Sequence, residues 1–492
     1  MLLPLEISPG VYRNGTDMQA TGRWRDSNLI RWIDGALQPV GGWRDFGGTA
    51  FNAAPRGAHS WVTQTGTPWI AAGTFSKLYV TASDGTVTDV TPVGFTSGTE
   101  DAAVNTGYGG GFYGRGTYGT KRPETGAFAS ATVWTMDNWG EYLVACSPDD
   151  GKIYEWQLDT GTVAAALSGA PTSCTAVCVT DDRFVFALGA SGNDRLIKWS
   201  DREDNTAWTP SATNEAGSIE LATTGRIVNA IKLPSQTLIL TSTDAHAATY
   251  QGPPFVYGFE RVGTHCGIVA PQAGKAIQGN AFWMGRHSFY SYSGGSVDPL
   301  TCDVEDYVFS NINRDQISKV FAVTMGEQNE IWWFYPSKLS VEVDSYVKLN
   351  VVQGVWDIGT LDRTAGVDAG ASRYPTMFDS AGAGYQHEIA AYSWGGGSIF
   401  AETGPISMGV GENTFSVTEM IPDEKTQGDV TATFKTRFHP NDTERDYGPY
   451  TMSNPTSVRF TGRQIRLRVD GVAMSDWRVG VPRLRVQERG RR

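Results

Sequence analysis

Cysteine is scarce. The chain of 492 residues has five: Cys146, Cys174, Cys178, Cys266 and Cys302. An odd count at this density does not make a disulfide framework, and it fits folding in a reducing cytoplasm. Cys174 and Cys178 have no second Cys or His pair to complete a zinc site. Histidine is equally thin: His59, His246, His265, His287, His387 and His439 are scattered, with no HExxH and no His-x-His. Gly-x-Ser-x-Gly elbows and Asp-x-Asp-x-Asp calcium loops are missing as well. No catalytic, cofactor-binding or metal-ligating residue is therefore assigned. Apolar runs stay well short of the roughly 18 residues that a membrane-spanning helix needs. The opening MLLPLEISPGVY lacks the basic and apolar regions of a signal peptide. Charged residues make up 19% of the chain, below the usual quarter.

What is abundant is glycine, 58 residues, and aromatic side chains: 16 Trp, 19 Tyr and 21 Phe. This profile excludes a coiled coil, which needs Ala, Glu, Lys and Leu, and a disordered chain, which lacks aromatics. Many short strands joined by tight turns are expected instead. Net charge is −12, which argues against a protein that grips nucleic-acid phosphates over its whole surface. That charge is unevenly spread. Residues 459–492 hold ten arginines against Asp470, Asp476 and Glu488, a net of +7, so residues 1–458 carry −19. An acidic body with a basic end suggests two surfaces with different partners; a solvated strand pair is the plainer reading.

Three regions differ in texture. Residues 1–48, interrupted by Pro4, Pro9, Gly10, Gly15, Gly22 and Gly41-Gly42, read as an irregular N-terminal arm that lies along another part of the assembly, with the C-terminal domain as the candidate. Residues 49–400 repeat a scheme of apolar strand, Gly or Asp turn, then a strand with Lys or Arg, an aliphatic and an aromatic residue. Lys77–Thr81 with Asp84-Gly85, Lys152–Trp156 with Asp150-Gly151, and Arg195–Ser200 are examples. Asp-Gly supplies the positive φ of a hairpin turn. A repeat of 45–60 residues with several strands each predicts a β-propeller-like domain, with a large β-sandwich as the alternative. Residues 401–492 alternate strictly in 430–438 and 464–470, which predicts a small antiparallel β-sandwich, or platform, with Ile465, Leu467 and Val469 inward and Arg466 and Arg468 outward. The fold class is all-β. One helix is expected from Asp303, which would cap it, through Val304, Val308 and Ile312 on one face to about Val320. The glycine-rich stretch 107–119 reads as a surface loop between strands, with Tyr108, Phe112, Tyr113 and Tyr118 as candidate contact residues.

Four pieces carry a family resemblance: Lys198-Trp199-Ser200 with Trp208-Thr209-Pro210, the strand-like 227–243, the helix region followed by 330–336, and Val355-Trp356-Asp357-Ile358-Gly359. In order and texture, with Ile7-Ser8-Pro9-Gly10-Val11 and the arginine-rich ending, they resemble the tail nozzle, or tail hub, of short-tailed bacteriophages, a group that includes packaged-DNA stabilisation proteins. The resemblance implies a structural virion protein without catalysis, assembled in the host cytoplasm. It implies a homo-oligomer, a hexameric ring below the adaptor ring of the portal, that prolongs the DNA channel, retains packaged double-stranded DNA and bears a tail needle and fibres or tailspikes. An acidic body suits a lumen through which DNA slides, and Arg466, Arg468, Arg483 and Arg485 are the candidate interface to an adaptor or neighbouring subunit. The same arginines holding the DNA end are the competing reading. From a different class come a glycan-binding module and a propeller glycoside hydrolase acting on host-surface polysaccharide, which would need converging carboxylates.

Overall fold

The computed structural model describes residues 1–48, 50–104, 128–390, 393–408 and 413–491. Among these, seven four-stranded meanders follow one another along the chain: residues 58–89, 135–166, 176–220, 227–264, 274–299, 321–360 and 365–389. The seventh takes its fourth strand, Gly42–Asp45, from the N-terminal segment. Each first strand packs beside the first strand of the next sheet, and Ala365–Val367 of the last packs against Ala58–Val62 of the first. The ring is closed, so the sheets are the blades of a seven-bladed β-propeller. First strands begin at residues 135, 176, 227, 274, 321 and 365, so the blades follow at steps of 41 to 51 residues, somewhat shorter than the 45–60 expected from sequence. The longer step after blade 1 accommodates a two-stranded ribbon, Ala103–Val104 with Phe128–Ala129. Tyr108, Phe112, Tyr113 and Tyr118 lie outside the described residues.

Local chemistry explains the blades. Asp84-Gly85 turns the third strand of blade 1 into its fourth, with Gly85 at φ +83°, where a side chain would be strained. Tryptophans fill the wedges between and within blades, and three of the most buried there find a backbone acceptor for the indole N–H. Trp134 donates to the Thr74 carbonyl at 2.7 Å, Trp283 to Cys266 at 2.7 Å and Trp333 to Ala273 at 3.1 Å. Large apolar area with one satisfied donor suits Trp for this position.

A two-sheet sandwich flanks the propeller. One sheet orders Leu2–Pro4, Arg483–Arg491, Asn413–Ile421 and Thr456–Gly462. The other orders Ser8–Val11, Arg23–Asn28, Phe400–Thr403, Gln464–Gly471, Val430–Arg437 and Arg445–Thr451, with Ile406–Ser407 also beside Gln464–Gly471. Ile465, Leu467 and Val469 point inward, with Phe415, Val417, Phe434, Phe460, Trp477 and Leu484. The N-terminal segment is thus made of strands that serve both units: it supplies three to the sandwich, a hairpin of Ile30–Ile33 with Ala36–Pro39, and the closing strand of blade 7. One hydrophobic core runs without a break from blades 4–6 into the sandwich.

The helix is shorter than the sequence suggests. It spans Glu305–Asn311, and Asp303 does not cap it. The Asp303 carboxylate accepts from Arg23 at 2.5 Å instead, an ion pair to the sandwich. After Ile312 the chain bonds to blade 6, Asn313 N–H to the Pro336 carbonyl at 2.9 Å, which ends the helical ladder. Val304, Val308 and Ile312 are all buried.

Candidate functional site

The uneven charge of the sequence becomes two surfaces. In a ring of antiparallel meanders, the turns from first to second strand and from third to fourth strand all leave on one face. These turns carry exposed Asp84, Asp159, Asp181, Glu203, Asp204 and Glu327. Arg183, Arg202 and Arg373 oppose them, and Arg183 is already paired to Glu203 at 2.8 Å. The propeller therefore has an acidic loop face.

The sandwich has an arginine face. On Arg483–Arg491, Leu484 and Val486 are buried, so Arg483, Arg485 and Arg489 point to solvent. Arg485 sits opposite Leu2 on one neighbour and Glu419 on the other, and its Nε lies 2.6 Å from the Glu419 carboxylate. Arg459 shares that outer face, since Phe460 beside it pairs with inward Val417. Exposed Leu2 lies among these cations.

Arg466 and Arg468 belong to the other sheet and are engaged within the chain. Arg466 bonds Asp17, lies 3.0 Å from Glu444 and 3.4 Å from Glu402, and its side chain is 16% exposed. Arg468 pairs with Asp470 at 2.9 Å and stacks 3.7 Å over the Phe400 ring. The four arginines named from sequence thus fall on two sheets. Arg483 and Arg485 are presented outward, whereas Arg466 and Arg468 bind the N-terminal segment and the strand Phe400–Thr403. Arg459 and Arg489 join the outward pair through strand register, which is visible only once the strands are paired.

A buried ionic network at the seam of the two units has no counterpart in the sequence reading. Arg31, on the N-terminal hairpin, reaches Glu330 of blade 6 at 3.1 Å and Glu388 of blade 7 at 2.7 Å. Lys348 adds contacts of 3.2 Å to Glu330 and 3.4 Å to Asp357. The Ser27 hydroxyl lies within hydrogen-bond reach of both the Asp357 carboxylate and, at 2.8 Å, the Ile358 carbonyl. Burial raises the Asp357 carboxyl to about 6, against the pull of Lys348 and Ser27. Burial acts the same way on Glu330, but Arg31 and Lys348 outweigh it and hold that carboxyl below its ordinary value. The available signal was Glu330 itself, an acid at the head of the apolar run Ile331-Trp332-Trp333-Phe334. The same two-residue spacing puts Trp332 Nε1 2.9 Å from the Glu330 carboxylate. This network binds the two units together; it exposes no group to a ligand.

The cysteines are inert. All five are buried, and burial pushes the Cys174 and Cys178 thiols up to about 12. Among the described residues no group of three or more His, Cys, Asp or Glu is arranged to hold a metal ion.

No protein-family model matches the chain, and no curated protein matches it in sequence. Solved structures resemble it at low identity. A catalytically inactive virginiamycin B lyase from Staphylococcus aureus with quinupristin is 8% identical, over 70% of this chain and 98% of that one, with a TM-score of 0.41. A fungal alcohol oxidase in complex with copper is 12% identical over 89% and 94%, with a TM-score of 0.43. YCF48 bound to a D1 peptide is 9% identical over 71% and 97%, with a TM-score of 0.39.

Proposed function

We propose that the chain is a structural component of a phage tail, a nozzle or hub subunit that forms a ring, a hexamer in this reading, extending the DNA channel below the portal adaptor. The observation that carries the reading is the separation of charge onto two faces of one body: acidic turns on the propeller and outward Arg459, Arg483, Arg485 and Arg489 on the sandwich. Two faces of opposite charge on one subunit favour head-to-tail contacts, which close into rings when the rotation per subunit allows. A continuous core and a buried ionic seam support a fixed angle between the two faces. An acidic surface along a lumen lets DNA pass without binding its phosphates.

The test is single-particle microscopy with mass photometry of the purified chain, alone and with the portal–adaptor complex of its phage. A closed ring with a channel wide enough for duplex DNA is expected in at least the second condition. A monomer in both conditions would overturn the reading. Arg483→Glu with Arg485→Glu should prevent ring closure or adaptor docking. Intact tails that leak DNA would assign these arginines to the DNA end rather than to an interface.

A further inference from the structure

The propeller axis holds a cavity of about 210 Å³, walled by the first strands of blades 1 to 5. A single water needs only about 10–15 Å³ by this measure, so the space accepts a small organic molecule. Its polar groups are unevenly matched. Asp137, on Thr135–Trp139, accepts the Val179 N–H at 2.9 Å and the Asn138 N–H at 2.8 Å. Lys232 approaches the same carboxylate at 3.3 Å. Lys275, on the neighbouring strand Gly274–Ile277, also lines the cavity, and its ammonium makes no hydrogen bond among the described residues.

Two ammonium groups thus face one carboxylate. His59 does not change the count. Burial lowers its pKa, Asp137 opposes that, and its Nε2 is 3.1 Å from Asn138 Oδ1, so the ring is neutral at physiological pH. Cys178 is a thiol there. First strands of blades 6 and 7, Phe321–Met325 and Ala365–Val367, bring no charge. The cavity wall therefore carries two ammonium groups and one carboxylate, while Asp181, exposed on the loop face, acts on Lys232 from outside the wall. Burial lowers the Lys275 pKa, with Asp137 only partly opposing. Lys275 is half-buried and lines the cavity, so its ammonium is available to an anion bound there. The remaining wall includes apolar Met136, Val177 and Ile231.

We propose that the axial cavity binds a small organic monocarboxylate, its carboxylate between Lys275 and Lys232 and its apolar body against Val177 and Ile231. One negative charge neutralises the imbalance, and an apolar body matches the wall better than inorganic phosphate does. The proposal stands whether or not the chain assembles into a ring.

Sodium butyrate and inorganic phosphate, titrated separately by calorimetry into the full chain in low-chloride buffer, test it. Butyrate should bind saturably with one site per chain. Lys275→Met should weaken it at least tenfold, and Lys338→Met, on an exterior loop, should leave it unchanged. Absence of saturable butyrate binding, an unchanged affinity in Lys275→Met, or tighter binding of phosphate than of butyrate would overturn the proposal. Crystals of the unmodified protein soaked in 4-bromobutyrate give a check independent of any variant's folding. Anomalous bromine signal is expected on the propeller axis, and signal confined to other places would sink the idea.

Discussion

Arg31 donates two hydrogen bonds to Glu388, at 2.8 and 2.7 Å, across a sequence separation of 357 residues. The contact joins the N-terminal hairpin to the last blade, and Glu330 on blade 6 completes the clamp. Removing the guanidinium leaves two buried carboxylates with fewer cations. Arg31→Met is therefore expected to destabilise the fold by about 3–5 kcal/mol. Adding Glu388→Gln should recover part of the loss, which denaturant unfolding of the single and double variants would measure. Equal instability of both variants would show that the ion pair does not hold the seam.

Asp357 gives the seam a pH dependence of definite sign. Its carboxyl titrates at about 6 in the folded chain and near the ordinary value of about 3.9 when unfolded. Between these values the folded state holds the extra proton, so this group's contribution to stability falls as pH rises from 4 to 6. Asp357→Asn removes that slope. Relative to the parent chain, the variant should gain on the order of 2 kcal/mol between pH 4 and pH 7. Parallel stability curves for the two proteins would refute the assignment.

Closure of the ring depends on Gly41. A Cβ there would lie 2.5 Å from the Glu388 Cα, a backbone contact that cannot yield cheaply. Gly41→Ala should push Gly42–Asp45 off blade 7 and cost about 1–3 kcal/mol, as overpacking does. Limited proteolysis should then cut within residues 34–48 well before the parent chain is cut. Identical digestion rates would mean that the last blade tolerates the displacement.

The two pairs of C-terminal arginines should separate in experiment. Arg466→Gln loses contacts to Asp17, Glu402 and Glu444 and is expected to lower stability by about 1–3 kcal/mol. Arg483→Glu with Arg485→Glu gives up an exposed pair to Glu419 and should change stability by less than about 1 kcal/mol. Its effect should appear instead in salt-dependent self-association or adaptor binding. A large thermal destabilisation of the outward double variant would place those residues among the chain's internal supports.

Much of the architecture was legible in the residues. Asp84-Gly85 and Asp150-Gly151 marked blade turns because few residue types tolerate positive φ, and the alternation of Ile465, Leu467 and Val469 marked a one-sided sheet. Segment 1–48 was harder. Its strands are only three to six residues long, and their partners lie up to hundreds of positions away, as Leu2 opposite Arg485 shows. No local pattern encodes such a partner. The helix was overextended for a similar reason: periodicity set the buried face of Val304, Val308 and Ile312, but a bond from Asn313 to Pro336 set the end.

The candidate sites divide along the same line. Composition alone determined an all-β chain rich in turns, with an acidic body and a basic end, because strand propensity, turn chemistry and formal charge are properties of residues. Tertiary structure decided the rest, because pairing and closure are properties of pairs far apart in the chain. Blade number follows from Ala365–Val367 meeting Ala58–Val62. Register turns Arg483 and Arg485 outward while Asp17 and Glu402 occupy Arg466. Ring closure brings Lys232 and Lys275, 43 positions apart, to one axial cavity with a single aspartate between two cations.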